Sequence, residues 1–125
     1  MSTHRSHVLI ADDEPQVLKL FARILSQGGF SVTAVDSGDA AIKVLQTAPV
    51  DLLVLDLNMP PPDGFELLKS LRTKRPGLRI LVISGYMQGA LLQASELLGA
   101  TASLSKSDAP KLLLQTVKML LQPNS

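Results

Sequence analysis

Five side chains suited to binding a metal ion and a phosphoryl group stand at the ends of strand-like apolar runs: Asp12, Asp13, Asp56, Ser84 and Lys106. In a parallel sheet the carboxyl ends of all strands meet at one edge, where open α/β folds bind their ligands. Carboxylate oxygens are ligands that Mg²⁺ prefers, whereas an ammonium and a hydroxyl group can hold phosphoryl oxygens. If the runs share one sheet, the sequence predicts a shallow site for a divalent cation and a phosphoryl group.

The chain around these residues alternates between strand-like and helix-like segments. This alternation is typical of βαβ units in a parallel sheet. The runs 52–55 and 80–83 are continuously apolar, which indicates strands covered on both faces, whereas 31–35 is more polar and fits an edge. We predict strands at about 7–11, 31–35, 51–55, 79–83 and 101–104.

Capping and stop signals place helices after the strands. Ser37 is expected to cap the second helix and Asp63 the third. The fourth helix is expected at about 87–98, with Gly99 as its stop, and the fifth is expected to start at Ser107 or Asp108 and to run to about Leu121. Five alternating pairs of strand and helix predict an α/β sandwich of three layers.

Each residue of the predicted site has a simpler explanation when it is considered alone. Asp12 or Asp13 could cap the first helix, and Asp56 could be an ordinary turn residue. Ser84 could cap the fourth helix, and a lone lysine such as Lys106 is usually solvated. Their joint position at adjacent strand ends favours the site.

Composition limits the classes of protein to which the chain can belong. Its 125 residues, 46% of them hydrophobic and 3% aromatic, fit one domain with an aliphatic core. The net charge of +1 argues against direct binding to nucleic acid or to a membrane, and without cysteine there is no disulfide. No run approaches the roughly 20 apolar residues of a membrane span. We expect a loose tail at 1–6, one domain at 7–122 and a cytoplasmic protein.

A series of short motifs extends from Val8 to about Leu121: Asp12-Asp13, Asp56, Met59-Pro60, Asp63-Gly64, Ser84-Gly85, Gly99-Ala100 and Lys106. Each motif is weak alone, but their joint order and spacing resemble the receiver domain of two-component response regulators. The resemblance implies a flavodoxin-like (βα)5 three-layer sandwich with a parallel sheet of order 2-1-3-4-5. It also implies an aspartate that accepts phosphate from the phosphohistidine of a partner.

The resemblance implies a metal site made of oxygen ligands. Asp56 is the phosphoacceptor, and it binds Mg²⁺ (or Mn²⁺) directly together with Asp13. Asp12 acts through water or supports Asp13, and the backbone carbonyl of Asn58 is the remaining protein ligand. Without metal, the nearby carboxylates should repel one another and destabilise the fold locally.

The resemblance also implies the groups that surround the phosphoryl group. Lys106 and Ser84 bind phosphoryl oxygens, and Gly85 leaves room for the reactants. Asn58 and Tyr86 flank the attacking water, and we expect them to tune how long the phosphate survives.

Two positions depart from the family pattern. Ser103 stands where most members carry the Tyr or Phe that turns inward on phosphorylation, and Ser107 stands where they carry proline. We therefore expect intact acceptor chemistry with an altered readout, which Tyr86 could carry.

The predicted fourth helix carries leucines at 91, 92, 97 and 98, with Glu96 as its one charge, and the fifth helix is also rich in leucine. One buried face cannot absorb all of them, so we expect an exposed apolar patch for a homodimer or a target. The alternative is a richly packed core.

The leading hypothesis is a stand-alone response regulator in phosphorelay signal transduction. Its partners are a histidine kinase or a histidine phosphotransfer protein and an unidentified downstream protein, and its chemistry is limited to self-phosphotransfer and autodephosphorylation. The alternative is an interaction module of the same fold that binds independently of phosphorylation. An aspartyl phosphohydrolase is disfavoured because its Asp-x-Asp motif is absent: Asp56 is followed by Leu57 and Asn58. A nucleotide binder is disfavoured because the sequence contains no Gly-rich phosphate-binding loop.

Two groups of charged or titratable residues are expected to have no special role. His4 and His7 have no metal-ligand partners in the sequence and are treated as incidental. A solvated helix face and loop are expected for the basic residues Lys69, Arg72, Lys74, Arg75 and Arg79.

Overall fold

The computed structural model describes residues 5–59, 64–85, 96 and 98–122, and strands and helices alternate within them. The strands are β1 (His7–Ala11), β2 (Ser31–Val35), β3 (Leu52–Asp56), β4 (Arg79–Ser84) and β5 (Ala102–Ser105). The helices are α1 (Pro15–Gln27), α2 (Gly38–Thr47), α3 (Gly64–Lys74) and a C-terminal helix (Ala109–Leu121). Most of the predicted fourth helix lies outside the described residues, in which Glu96 is helical.

The five strands form one parallel sheet of order β2-β1-β3-β4-β5, which confirms the predicted topology and the edge position of β2. The last three strands end one residue later than predicted. The reason is that pairing continues, with Asp56 opposite Ile83 and Ser84 opposite Ser105. Asp56 and Ser84 are therefore the last residues of their strands, and their backbones are held by the sheet.

Alternate residues of the central strands point to opposite faces of the sheet, and each face has its own core. Val8 and Ile10 of β1 pack in one cluster with residues of α1 and the C-terminal helix. Leu9 of β1 and Leu53 of β3 pack in the other with residues of α2 and α3. The result is the expected sandwich of three layers, in which both faces of the central strands are covered.

Side chains at the helix ends confirm some of the predicted signals. The Ser37 hydroxyl accepts a hydrogen bond from the Ala40 N–H at 3.1 Å, as expected of the cap of α2. Gly99 has a φ of +120°, a conformation that favours glycine, as expected of a helix stop. The predicted cap Asp63 lies outside the described residues.

The prediction that the basic residues are merely solvated is wrong for two of them. Arg72 donates through Nε to the Gly99 carbonyl at 2.8 Å and through Nη1 to the Leu78 carbonyl at 2.9 Å. Arg75 donates to the Leu45 carbonyl at the end of α2. A guanidinium group carries five N–H donors, so it can satisfy several backbone carbonyls at once.

His7 is also more than incidental. Its Nδ1 lies 2.7 Å from the Pro49 carbonyl oxygen, and its Nε2 lies 2.7 Å from the Thr33 hydroxyl. Its backbone N–H donates to an Asp51 carboxylate oxygen at 2.7 Å. The side chain therefore joins β1 to β2 and to the segment before β3, while His4 lies outside the described residues.

The leucines of the C-terminal helix pack into the core rather than form an exposed patch, whereas the fourth helix lies mostly outside the described residues. Leu113 is fully buried, and Leu114, Leu120 and Leu121 pack against the cluster on the α1 face. Met119 is the exposed apolar residue of this helix, with 63% of its surface accessible. Of the leucines expected in the fourth helix, Leu98 alone is among the described residues. No helix in the described ranges is long and apolar enough to cross a membrane.

Candidate functional site

The parallel sheet brings the predicted site residues to one edge. Asp12 follows β1, Asp56 and Ser84 end β3 and β4, and Lys106 follows β5. Backbone bonds extend the pairing beyond the strands, since the Asp12 N–H donates to Val35 at 3.1 Å and the Lys106 N–H to Ser84 at 2.9 Å. The geometry thus comes from the sheet rather than from free loops.

Three carboxylates at this edge are close enough to share one metal ion. Each of Asp12, Asp13 and Asp56 offers an oxygen, and these oxygens lie within 4.8 Å of one another. Asp12 and Asp56 are almost fully buried, with 2% and 1% of their surface accessible, whereas Asp13 is exposed. A set made only of oxygen donors, partly open to water, fits the hard cation Mg²⁺.

Local hydrogen bonds orient the two buried carboxylates. Asp12 Oδ1 accepts from the Glu14 N–H and Asp56 Oδ1 from the Asn58 N–H, each at 2.9 Å. Helix α1 begins at Pro15 with Glu14 as its N-cap, so neither Asp12 nor Asp13 is the capping residue. The simpler explanation for the acidic pair is therefore wrong, and the Oδ2 atoms of the two buried aspartates are turned towards the lysine.

Lys106 forms ion pairs with three carboxylates of the site. Its Nζ is 3.4 Å from Asp56 Oδ2 and 3.5 Å from Asp12 Oδ2. The shortest contact, 2.6 Å, is to Glu14 Oε1. The sequence prediction missed Glu14, although its position directly after the acidic pair was a signal that it would share the same edge.

The electrostatics of the site follow from burial and from an excess of negative charge. Burial raises the pKa of the Asp12 carboxyl group from 3.8 to about 6, and the nearby charge of Asp56 acts in the same direction. Burial acts to lower the pKa of Lys106, but the hydrogen bond to Glu14 and the charges of Asp56 and Asp12 outweigh it and raise that pKa. The lysine is therefore held firmly as a cation.

The hydroxyl group of Ser84 is positioned by the side chain of Asn58. Asn58 Oδ1 accepts from the Ser84 hydroxyl and from the Gly85 N–H, both at 3.1 Å. This amide contact adds to the roles predicted for Asn58, because it ties the loop after β3 to the end of β4. Tyr86 and a helix that Ser84 could cap lie outside the described residues.

These groups line an open cavity of about 390 Å³. A Cβ atom at Gly85 would lie 3.5 Å from Lys106 Cδ, which is an ordinary contact, so a small side chain would fit there. A Cβ at Gly64 would lie 2.7 Å from the Asp56 carbonyl oxygen, so α3 can start against the end of β3 only with glycine there. The cavity walls are Asp13, Glu14, Asp56, Asn58, Gly85 and Lys106.

The two positions that depart from the family pattern make polar contacts. The Ser103 hydroxyl donates to Glu96 Oε2 at 2.7 Å, which links β5 to the helical residue before the 98–100 turn. The Ser107 hydroxyl lies 3.2 Å from that of Ser105. A hydroxyl group thus makes a fixed contact at the place where most receivers have an aromatic ring.

Comparisons with known proteins agree with this geometry. The protein-family model described as the response regulator receiver domain matches residues 8–118 of this chain. The transcriptional regulatory protein GlrR of Escherichia coli is 34% identical over 86 residues, which are 69% of this chain and 19% of GlrR, so the chain spans a small part of that relative. The response regulator receiver protein CpdR of Brucella abortus is 31% identical over 114 residues, covering 91% of this chain and 95% of CpdR.

Among solved structures, the response regulator TrrA of Thermotoga maritima, in complex with Mg²⁺-BeF, superimposes with a TM-score of 0.82. It is 27% identical, and the match covers 93% of this chain and 99% of that one. The family model, the relatives and the sheet order together show that the chain belongs to the receiver domains of response regulators.

Proposed function

We propose that this chain, as one receiver domain over 7–122, accepts a phosphoryl group on Asp56 from a histidine kinase or a histidine phosphotransfer protein. The observation that carries the proposal is the environment of the Asp56 carboxylate. It is buried, its Oδ2 atom lies 3.4 Å from Lys106 Nζ, and it belongs to a group of three carboxylates whose oxygens lie within 4.8 Å of one another.

The chemistry is the transfer of a phosphoryl group between two side chains. An Asp56 oxygen attacks phosphorus, the new O–P bond forms, and the P–N bond to the donor imidazole breaks, with its electron pair returning to the nitrogen. Bound Mg²⁺ would supply positive charge against the repulsion between the carboxylate and the phosphoryl group. Asp13, Asp56 and the Asn58 carbonyl would bind that ion directly, and Asp12 would act through water or support Asp13. The solved complex of the similar protein TrrA with Mg²⁺-BeF supports a magnesium site in this chain.

Lys106 and Ser84 would then bind oxygens of the transferred group. Lys106 is a compact cation, mostly buried and already within reach of Asp56. The Ser84 hydroxyl donates to Asn58 Oδ1 at 3.1 Å in this structure. In the phosphorylated protein it would rotate and donate to a phosphoryl oxygen instead. Output would pass through binding to a downstream protein in the cytoplasm, since the chain's own charge does not favour nucleic acid.

A second candidate function is an interaction module whose binding does not depend on phosphate. The observation that favours it is Ser103, whose hydroxyl is engaged with Glu96 at the position of the usual aromatic switch. In this case the site would be a remnant and the family fold would serve as a binding scaffold.

One experiment separates the two candidates. The protein is incubated with radiolabelled acetyl phosphate, with Mg²⁺ or with a chelator, as wild type and as Asp56→Asn. We expect the wild type to incorporate label when Mg²⁺ is present. Chelation of Mg²⁺ or the substitution Asp56→Asn should lower the rate of labelling by at least about 90%, which corresponds to an increase of about 1.4 kcal/mol in the activation free energy. Labelling that survives Asp56→Asn would remove Asp56 from its role, and an unlabelled wild type would favour the interaction module.

A further inference from the structure

Glu14 holds the ammonium group on which the proposed chemistry depends. Lys106 Nζ lies 2.6 Å from Glu14 Oε1, which is 0.8 Å less than its 3.4 Å distance to Asp56 Oδ2. Charge-assisted hydrogen bonds are strong at such short distances, whereas 3.4 Å is outside the usual range. In the structure, therefore, the phosphoacceptor is only the second partner of Lys106.

The backbone of Glu14 is fixed by local contacts, whereas its side chain is exposed to water. Its φ and ψ of −92° and 112° are extended, as expected before Pro15, and its N–H donates to Asp12 Oδ1. The Glu14 side chain is 60% exposed, whereas that of Lys106 is 17% exposed. If Lys106 leaves, water can solvate the Glu14 carboxylate at little cost, so the pair can open.

The position of Glu14 makes it a competitor of the phosphoryl group. Glu14 lines the cavity together with Asp56 and Lys106. A phosphoryl group on Asp56 would place further negative oxygens in this cavity, and these oxygens and the Glu14 carboxylate would both attract the one ammonium group. Two anions that share a cavity also repel each other.

We infer that Glu14 is a positioning residue that holds Lys106 at the cavity rim in the unphosphorylated protein and so opposes the phosphorylated state. This inference rests on the proposed function of Asp56. The Lys106 side chain would exchange Glu14 for the phosphoryl oxygens on phosphorylation. Glu14 would thereby set how readily the domain accepts phosphate.

The test uses beryllofluoride with Mg²⁺ as a probe of the phosphorylated state, measured by calorimetry. Glu14→Gln keeps the size and an oxygen acceptor but removes the charge. We expect it to bind beryllofluoride roughly two- to fivefold more tightly than the wild type, the range that an ion pair with one exposed partner supports. Equal or weaker binding in Glu14→Gln would overturn the inference.

Two further variants separate the pair from a general loss of negative charge. Asp39→Asn removes an exposed carboxylate in the first turn of α2, outside the cavity lining, and should bind beryllofluoride like the wild type. Glu14→Asp keeps the charge but shortens the side chain, so the contact with Lys106 should weaken while the repulsion between the carboxylate and beryllofluoride remains. Its affinity should lie between those of the wild type and Glu14→Gln. If Glu14→Asp behaves like the wild type, or Asp39→Asn like Glu14→Gln, the contact is not the cause.

A spectroscopic measurement tests the pair without any ligand. In protein labelled at the lysine side chains, the Cε and Nζ resonances of Lys106 should shift in Glu14→Gln and stay in place in Asp39→Asn. Unmoved resonances in Glu14→Gln would refute the pair. A wild type that binds no beryllofluoride would instead reject the proposed function, so the two failures are distinguishable.

Discussion

Both edges of the sheet carry titratable side chains among the described residues, but the two edges differ in how these side chains are paired. At the amino edge, His7 has both ring nitrogens within 2.7 Å of an oxygen, and its backbone N–H donates to Asp51. At the carboxyl edge, Lys106 forms ion pairs with Asp12, Glu14 and Asp56, three carboxylates for one cation among the described pairs. The first edge is a satisfied structural network, whereas the second has an excess of carboxylates.

The difference shows how a polar cluster that holds the fold can be told from one that awaits a ligand. The Pro49 carbonyl can only accept a hydrogen bond, so Nδ1 of His7 donates to it, and Nε2 pairs with the Thr33 hydroxyl, which can donate or accept. Every ring atom capable of bonding is used. Buried carboxylates that outnumber their cation are costly in the free protein, and a bound cation relieves that cost.

The largest expected effect concerns the ability to bind metal. Asp13→Asn should weaken Mg²⁺ binding at least about tenfold, because it removes one anionic oxygen ligand from a set of three carboxylates. Calorimetric titration with Mg²⁺ measures this. The matched control is Asp51→Asn at the amino edge, which should leave Mg²⁺ affinity unchanged. Equal affinities for Asp13→Asn and the wild type would break the contrast between the edges.

The next effect is a pH dependence of stability in metal-free protein. Asp12 has its pKa raised from 3.8 to about 6, so between these values the folded state binds more protons than the unfolded state. Stability contributed by this group is therefore present at low pH and is lost as pH rises through about 6. Asp12→Asn has no carboxyl group at this position and therefore does not lose this stability. With a chelator present, its free energy of unfolding minus that of the wild type should increase from pH 4 to pH 7 by on the order of 2 kcal/mol.

Urea unfolding of Asp12→Asn and wild type in parallel isolates this effect, since titrations common to both proteins cancel. Adding Mg²⁺ at neutral pH should reduce the advantage of the variant, because the ion binds the folded wild type. An advantage that is constant with pH would show that Asp12 does not titrate in this range.

The smallest effect is expected at the amino edge. Thr33→Val removes the hydroxyl that faces His7 Nε2 and should lower the free energy of unfolding by about 1 kcal/mol, the value of one hydrogen bond. Urea unfolding should give the same loss with and without Mg²⁺. If the loss in free energy of unfolding caused by Thr33→Val changed with Mg²⁺, the two edges would be coupled, which would contradict the contrast between them.

The sequence predicted the architecture well because the signals are local or periodic. Strand composition and helical spacing located β1 and β2 at their observed bounds, and the polar β2 was placed correctly at the edge. The three later strands were predicted to end one residue too early, because Asp56 and Ser84 look like loop residues although their backbones pair in the sheet. Backbone pairing depends on the neighbouring strand, so it cannot be recognised from the residue type alone.

The candidate site was predicted in its membership but not in its contacts. Parallel strands must bring Asp12, Asp56 and Lys106 to one edge, so their proximity followed from topology. The 2.6 Å contact of Glu14 with Lys106 and the role of Asn58 Oδ1 depend on side-chain conformation, which residue type does not determine. His7 was missed for the same reason, since its partners Thr33 and Pro49 are distant in sequence.

The most direct test of the central claim locates the phosphoryl group itself. The wild type is phosphorylated with Mg²⁺ present, treated with borohydride to reduce the acyl phosphate, digested and analysed by mass spectrometry. Reduction converts the modified aspartate to homoserine. We expect homoserine at position 56 alone; homoserine at 12 or 13, or at no position in a labelled protein, would contradict the assignment of Asp56 as the acceptor.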